Sequence, residues 1–270
     1  MRDPFFDLFG HICIMICYTH NTMLESEDSN KNLLLISSST VFGRGYLDHV
    51  ENDIHELLGH RRRVVFLPFA LYDRDAYAAK AAQRFARMGF ALESVHVTPA
   101  PPRLVEGADA IFIGGGNTFR LLKALYDYDL LEPVRRRVQE GVPFIGSSAG
   151  SIVACPALKT TKDMPVVQPP SFDALGLVNF QISPHYLDPD PNSTHMGETQ
   201  EERILQYLEE NDRPVVGLRE PTLLRVLNGS IQMRGSTSAR IFRRGHPPVE
   251  VPPGTDLTAK AGPGSAARAG

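Results

Sequence analysis

The chain has little of what marks most specialised classes of protein. It has three cysteines in 270 residues, Cys13, Cys17 and Cys155. An odd, irregularly spaced set offers no disulfide framework and suits a reducing compartment. Cys13 and Cys17 have no second pair to complete a metal site. Charge of one sign is also scarce. The 28 Lys and Arg against 31 Asp and Glu leave a net charge of −3, which gives no electrostatic case for nucleic acid or an anionic membrane as partner. The apolar run from Ile12 to Cys17 is too short to span a bilayer. Asp3, Asp7 and His11 interrupt a signal-peptide pattern, and no small-residue cleavage site follows. There is no internal repeat. These absences point to a cytoplasmic protein.

What is present is ordinary globular composition, 42% hydrophobic and 22% charged residues. The length suffices for one large α/β domain. Residues 1–31 read as a dispensable leader, residues 32–246 as the folded domain, and residues 247–270, rich in Pro, Gly, Ala and Thr, as a disordered tail. Continuous apolar runs at 32–38, 62–68, 93–97, 108–113 and 142–145 suit strands covered on both faces. Helical spacing at 46–58, 75–88, 118–125 and 131–140 alternates with them. This order predicts an α/β fold with a doubly wound, mostly parallel sheet. Further strands are expected at 179–183 and 214–218, with a helix at 198–210 between them. Short runs at 223–227, 230–233 and 240–242 predict antiparallel strands at one edge.

In such a sheet, functional loops lie beyond the carboxyl ends of the strands. The run ending at Ile145 enters Gly146-Ser147-Ser148-Ala149-Gly150, which fits Gly-x-Ser-x-Gly. In a nucleophile elbow the central serine sits on a sharp strand-to-helix turn, with its hydroxyl exposed at the helix N-terminus. Ser148 is therefore the candidate nucleophile, and the amide of Ala149 a candidate oxyanion donor. The run ending at Ile113 enters Gly114-Gly115-Gly116-Asn117-Thr118. This matches neither a dinucleotide fingerprint nor a phosphate-binding loop. Gly115 or Gly116 could supply a second oxyanion donor, because a glycine backbone approaches without a Cβ clash. Asn117 belongs to the same candidate site, or simply caps the helix.

A serine nucleophile needs a base. His185, in Ser183-Pro184-His185-Tyr186 after a strand, is favoured among nine histidines, with His195 second. The base in turn needs a carboxylate to hold its tautomer and stabilise the imidazolium. Asp163, in the loop after the elbow helix, and Glu220, beyond the strand at 214–218, both qualify. Glu220 is preferred slightly, as another strand-end residue. The leftover acid could bind a substrate ammonium group.

The stretches LLLISSST, IGGGNTFRLLKAL, GSSAGSIVACPALKTTKDMP, FDALGLVNFQISPHY and HMGETQEERI occur in this order. Together they resemble the aspartyl dipeptidase (dipeptidase E, peptidase E) family from about Leu33 to Phe242. The resemblance implies a glutamine-amidotransferase-like α/β fold. It implies a serine exopeptidase that acts on dipeptides with an N-terminal aspartate, as a monomer and without metal or cofactor. It places the nucleophile at Ser148 and the base at His185, and leaves the third member at Asp163 or Glu220. One departure stands out. Where similar enzymes read GETREER or GETREQR, this chain has Gln200. The arginine missing there is the one expected to pair with the substrate's aspartate side chain. Gln200 donates hydrogen bonds but cannot neutralise a carboxylate. Weakened binding by about 2–4 kcal/mol, or relaxed specificity toward asparagine, is the expectation, with Arg203 one turn on as a partial substitute. Two other readings follow from the same departure: a cyanophycinase-like peptidase of the same superfamily, and a non-catalytic binding protein.

Overall fold

The first apolar run forms β1 (Asn32–Ile36), and its alternation sets the layering. Leu33 and Leu35 enter one core, while Leu34 and Ile36 enter another on the opposite face. A strand buried on both sides must lie inside a sheet covered by two layers. In this computed structural model, which describes residues 30–194 and 196–258, β1 is central. The other strands of its sheet are β2 (Arg63–Leu67), β3 (Ala91–Ser94), β4 (Ile111–Ile113), β5 (Phe144–Ser147), β8 (Thr222–Leu227) and β9 (Ser230–Gly235). Their order is β3-β2-β4-β5-β1-β8-β9. The first five positions pair in parallel, and β8 and β9 close the far edge antiparallel. On one face lie α1 (Glu51–Leu58) and α2 (Arg74–Arg87). The other core holds residues of α4 (Thr118–Asp127), α5 (Leu131–Gln139) and α6 (Ala149–Val153). The mostly parallel α/β architecture expected from the sequence is present.

Four details differ from the sequence reading. The run at 93–97 is not one strand. β3 ends at Ser94 and a 3-10 turn takes Val95–Val97. A short helix, α3 (Pro101–Glu106), went unforeseen, with proline in its first turn. The late strands do not share one edge. β6 (Gln181–Pro184), β7 (Val215–Leu218), β10 (Ala239–Arg243) and β11 (His246–Val251) form a second sheet in the order β11-β10-β7-β6, with α7 (Gln200–Glu210) packed on it. Finally, the domain does not stop at residue 246. β11 pairs antiparallel with β10, and Val251 and Leu257 are fully buried. Pro247 and Pro248 suggested a tail, but β11 is an edge strand, where a residue without an N–H is tolerated. Residues 1–29 of the proposed leader and 259–270 of the proposed tail lie outside the described residues.

The second sheet sits against the first so that the carboxyl ends of β5, β6 and β7 converge. Ser37, just past β1, ties them together. Its hydroxyl donates to the Leu218 carbonyl at 2.8 Å and accepts from the His185 amide at 3.0 Å.

Candidate active site

β5 runs into the elbow as the sequence suggested. Ser148 has φ 52° and ψ −109°, and α6 begins at the next residue. The turn is tight because Gly150 lies against the Ile113 carbonyl, where a Cβ would collide, and a Cβ on Gly146 would come 2.6 Å from the Gly150 oxygen. The neighbouring serines are buried. Ser151 spends its hydroxyl on the carbonyls of Ile36 and Gly146. Ser148 alone presents its Oγ outward, 2.8 Å from His185 Nε2.

His185 follows β6 and, like Ser148, has a left-handed φ of 52°. β6 and β7 are parallel neighbours with Pro184 opposite Leu218, so the loops after them emerge side by side. Glu220 therefore reaches His185, with Oε1 2.5 Å from Nδ1. The three groups form a chain: Ser148 Oγ, His185 Nε2, His185 Nδ1 and Glu220 Oε1. The imidazole and the carboxylate are each about two-fifths exposed, at 40% and 38%, so the site is open to solvent.

Asp163 lies elsewhere. Its Oδ2 accepts from the Thr118 amide at 2.7 Å, the Thr118 hydroxyl at 2.6 Å and the Thr161 hydroxyl at 3.1 Å. It thus satisfies donors at the N-terminus of α4 rather than orienting His185. Asn117 is occupied in the same turn. Its Oδ1 caps the Arg120 amide at 3.0 Å, and its Nδ2 donates to the Met164 carbonyl at 2.8 Å. Gly115 lies against Ser148, where a Cβ would stand 3.0 Å from Ser148 Cβ and 3.7 Å from its Oγ. Gly116 has a φ of 135° and lies against the Ala70 carbonyl. The Ala149 amide opens α6 and so has no intrahelical acceptor.

Gln200 starts α7 beside the site. Its Oε1 accepts from the Leu187 amide and from Lys162 Nζ, both at 3.0 Å. Arg203 points away to Glu198, with its Nε 3.6 Å from Oε2. Two residues that sequence reasoning passed over belong here. Ser37 was visible only as one of several serines after a strand. Lys162 stands inside the TTKDMP stretch, next to a residue already singled out. His195, the second choice for the base, lies outside the described residues. Among the described residues no group of three or more His, Cys, Asp or Glu side chains could hold a metal ion, and no helix is long and apolar enough to cross a membrane.

Comparison with known proteins gives a consistent picture. Residues 33–234 match the family model described as Peptidase family S51. A protein named Peptidase E from Streptomyces coelicolor is 51% identical over 227 residues, which is 84% of this chain and 93% of that protein. A probable alpha-aspartyl dipeptidase from Drosophila melanogaster is 44% identical, covering 85% of this chain and 97% of its own length. Among solved structures, a peptidase from an acI-B1 actinobacterium superposes with a TM-score of 0.65 at 19% identity, over 85% of this chain and 97% of that one. A putative Peptidase E protein from Listeria monocytogenes gives 0.54 at 21% identity, over 82% and 98%. At such identities these two structures speak to the fold alone.

Proposed function

The chain belongs to peptidase family S51, and from that premise we propose that it is a serine dipeptidase that removes an N-terminal aspartate from dipeptides. The relatives named for peptidase E and aspartyl dipeptidase activity support the substrate class. The observation that carries the mechanism is the unbroken chain from Ser148 through His185 to Glu220.

In the first step His185 Nε2 takes the Ser148 proton as Oγ attacks the peptide carbonyl carbon. Glu220 keeps the remaining proton on Nδ1, fixing the tautomer, and its charge stabilises the imidazolium. The developing oxyanion lies between the Ala149 amide at the start of α6 and the backbone amide of Gly115 or Gly116. Collapse of the tetrahedral intermediate breaks the C–N bond, and the leaving amine takes the proton from Nε2. Water then loses a proton to His185 and attacks the ester, releasing aspartate and restoring Ser148. Asp163 has a supporting role in this scheme, holding the loop before Met164 on the start of α4.

The test is hydrolysis of Asp-Leu, Asn-Leu, Glu-Leu and Leu-Leu by the purified chain, with Ser148→Ala alongside. Asp-Leu is expected to be cleaved in preference to the others, with a loss of about 10⁴-fold or more in the variant. Failure to cleave any of the four, or undiminished cleavage by Ser148→Ala, would overturn the reading.

A further inference from the structure

Lys162 is a cation beside the triad to which the reaction scheme gives no part. It sits in the loop after α6, yet its ammonium leaves that loop for the end of β6. Nζ donates to the Pro184 carbonyl at 2.7 Å, the His185 carbonyl at 3.2 Å and Gln200 Oε1 at 3.0 Å. All three acceptors are neutral. The charged groups that act on it are Asp163, Glu220 and Arg203. Asp163 and Glu220 favour the ammonium, but their carboxylates are engaged by Thr118 and Thr161 and by His185 respectively. Arg203 opposes it. The lysine is thus held at the site by dipoles, without an anion bound directly to it.

Gln200 completes the arrangement. Lys162 Nζ and the Leu187 amide both donate to its Oε1. The opposite end of the carboxamide, Nε2, remains a donor. Nζ spends its three N–H groups on Pro184, His185 and Gln200, so beside the end of β6 the lysine offers a fixed positive charge and Gln200 Nε2 a hydrogen-bond donor. A fixed positive charge beside an amide donor suits a carboxylate, which takes its hydrogen bond from Gln200 Nε2 and its charge partner from Lys162.

We propose that Lys162 and Gln200 together bind the side-chain carboxylate of the N-terminal aspartate, with Lys162 supplying the positive charge that similar enzymes place on an arginine at position 200. This deepens the serine-dipeptidase reading and rests on it for the substrate. It also replaces the expectation that losing the arginine leaves the pocket neutral. The charge has moved from α7 to the loop after α6. Arg203 does not take this part, because it faces Glu198.

The experiment compares Lys162→Met and Lys162→Arg with the unaltered chain, reading the ratio of kcat/KM for Asp-Leu to that for Asn-Leu. A ratio cancels any general damage caused by loosening the His185 backbone. Lys162→Met is expected to lower the ratio about tenfold or more, and Lys162→Arg to preserve most of it. An unchanged ratio in Lys162→Met would overturn the proposal. A pH series gives a second arm. Desolvation by the surrounding protein lowers the Lys162 ammonium to about 8, so its charge is present below that pH and lost above it. The ratio should fall as pH rises through about 8. His185, Glu220, Asp163, Arg203 and the peptide's own amino group act on both substrates alike. A ratio flat across that range would count against Lys162 as the cation.

Binding separates this idea from the catalytic one. In a Ser148→Ala background, calorimetry should show Asp-Leu bound more tightly than Asn-Leu, and the preference should vanish on adding Lys162→Met. A surviving preference, or none in the Ser148→Ala parent, would sink the Lys162 pocket. Intact preference with no turnover by the unaltered chain would instead sink the dipeptidase reading.

Discussion

Ser148 and His185 both adopt a left-handed φ of 52°, a region that side-chain-bearing residues rarely occupy. Each departure costs of order 1–3 kcal/mol and persists only where the surroundings enforce it. At Ser148 the enforcement comes from its amide bond to the Ile36 carbonyl at 2.9 Å and the glycines on either side. At His185 it comes from Ser37 and Lys162. The two carboxylates near these residues can be told apart by experiment. Glu220→Gln keeps the shape but cannot stabilise an imidazolium, so kcat for Asp-Leu should fall by about 10³–10⁴-fold with little change in unfolding temperature. Asp163→Ala leaves the amide and hydroxyl of buried Thr118 without their acceptor. This should cost about 1–3 kcal/mol, seen as a midpoint lowered by about 2–4 °C per kcal/mol. Paired kinetics and calorimetric melts of the two variants decide the matter. An active Glu220→Gln beside a stable but inactive Asp163→Ala would reverse the assignment.

Between elements, the decisive contact is Ser37. It joins the end of β1 to the ends of β6 and β7, across 148 and 181 residues of chain. Ser37→Ala removes a donor from Leu218 and an acceptor from His185 at a fully buried position. A destabilisation of about 1–3 kcal/mol is expected. Because His185 loses one anchor, kcat for Asp-Leu should drop by about tenfold or more with less effect on KM; unchanged kcat would show that Lys162 and Glu220 hold the histidine without Ser37. This contact also marks the limit of what the sequence discloses. The parallel strands could be read because β1, β2, β4 and β5 are buried on both faces and so are continuously apolar. The elbow could be read because its glycines, serine and strand adjoin along the chain. The division into two sheets could not, since periodicity shows that a strand is buried but not which neighbour it pairs with. The contest between Asp163 and Glu220 had the same cause. Both carry the right group, and only the β6–β7 pairing decides which one meets His185. Lys162 went unread because its role depends on three acceptors 22 to 38 residues away.

For the molecule as a whole, the proposed triad straddles two sheets, with Ser148 at the end of a strand of the first and His185 and Glu220 beyond strands of the second. Whatever fixes the sheets relative to each other therefore fixes the distance from His185 to Ser148. The last described segment does this from the rim. β11 pairs with β10 in the second sheet, and the chain then returns to β9 in the first. There the Leu257 amide donates to the Ile231 carbonyl at 2.7 Å, and the Ile231 amide donates to Thr258 Oγ1 at 3.0 Å. β11 also contributes Glu250, which grips Arg219, the neighbour of Glu220, at 2.8 and 3.0 Å while Asp188 holds the same guanidinium at 2.6 and 2.8 Å. Arg219 keeps both carboxyls below the usual carboxylate range. Their contribution is therefore present at neutral pH and lost as pH falls through their lowered values. A chain ended at Gly245 should be compared with one ended at Thr258. The shorter chain loses two fully buried side chains, Val251 and Leu257, each worth about 1.5–3 kcal/mol. It also loses the Glu250 grip on Arg219. Its unfolding midpoint should fall by about 6 °C or more, and its kcat for Asp-Leu should fall at temperatures where it is still folded. A lower midpoint with full kcat would mean that Ser37 and the shared core align the sheets without help from the rim. An unchanged midpoint would mean that β11 adds no stability to the domain.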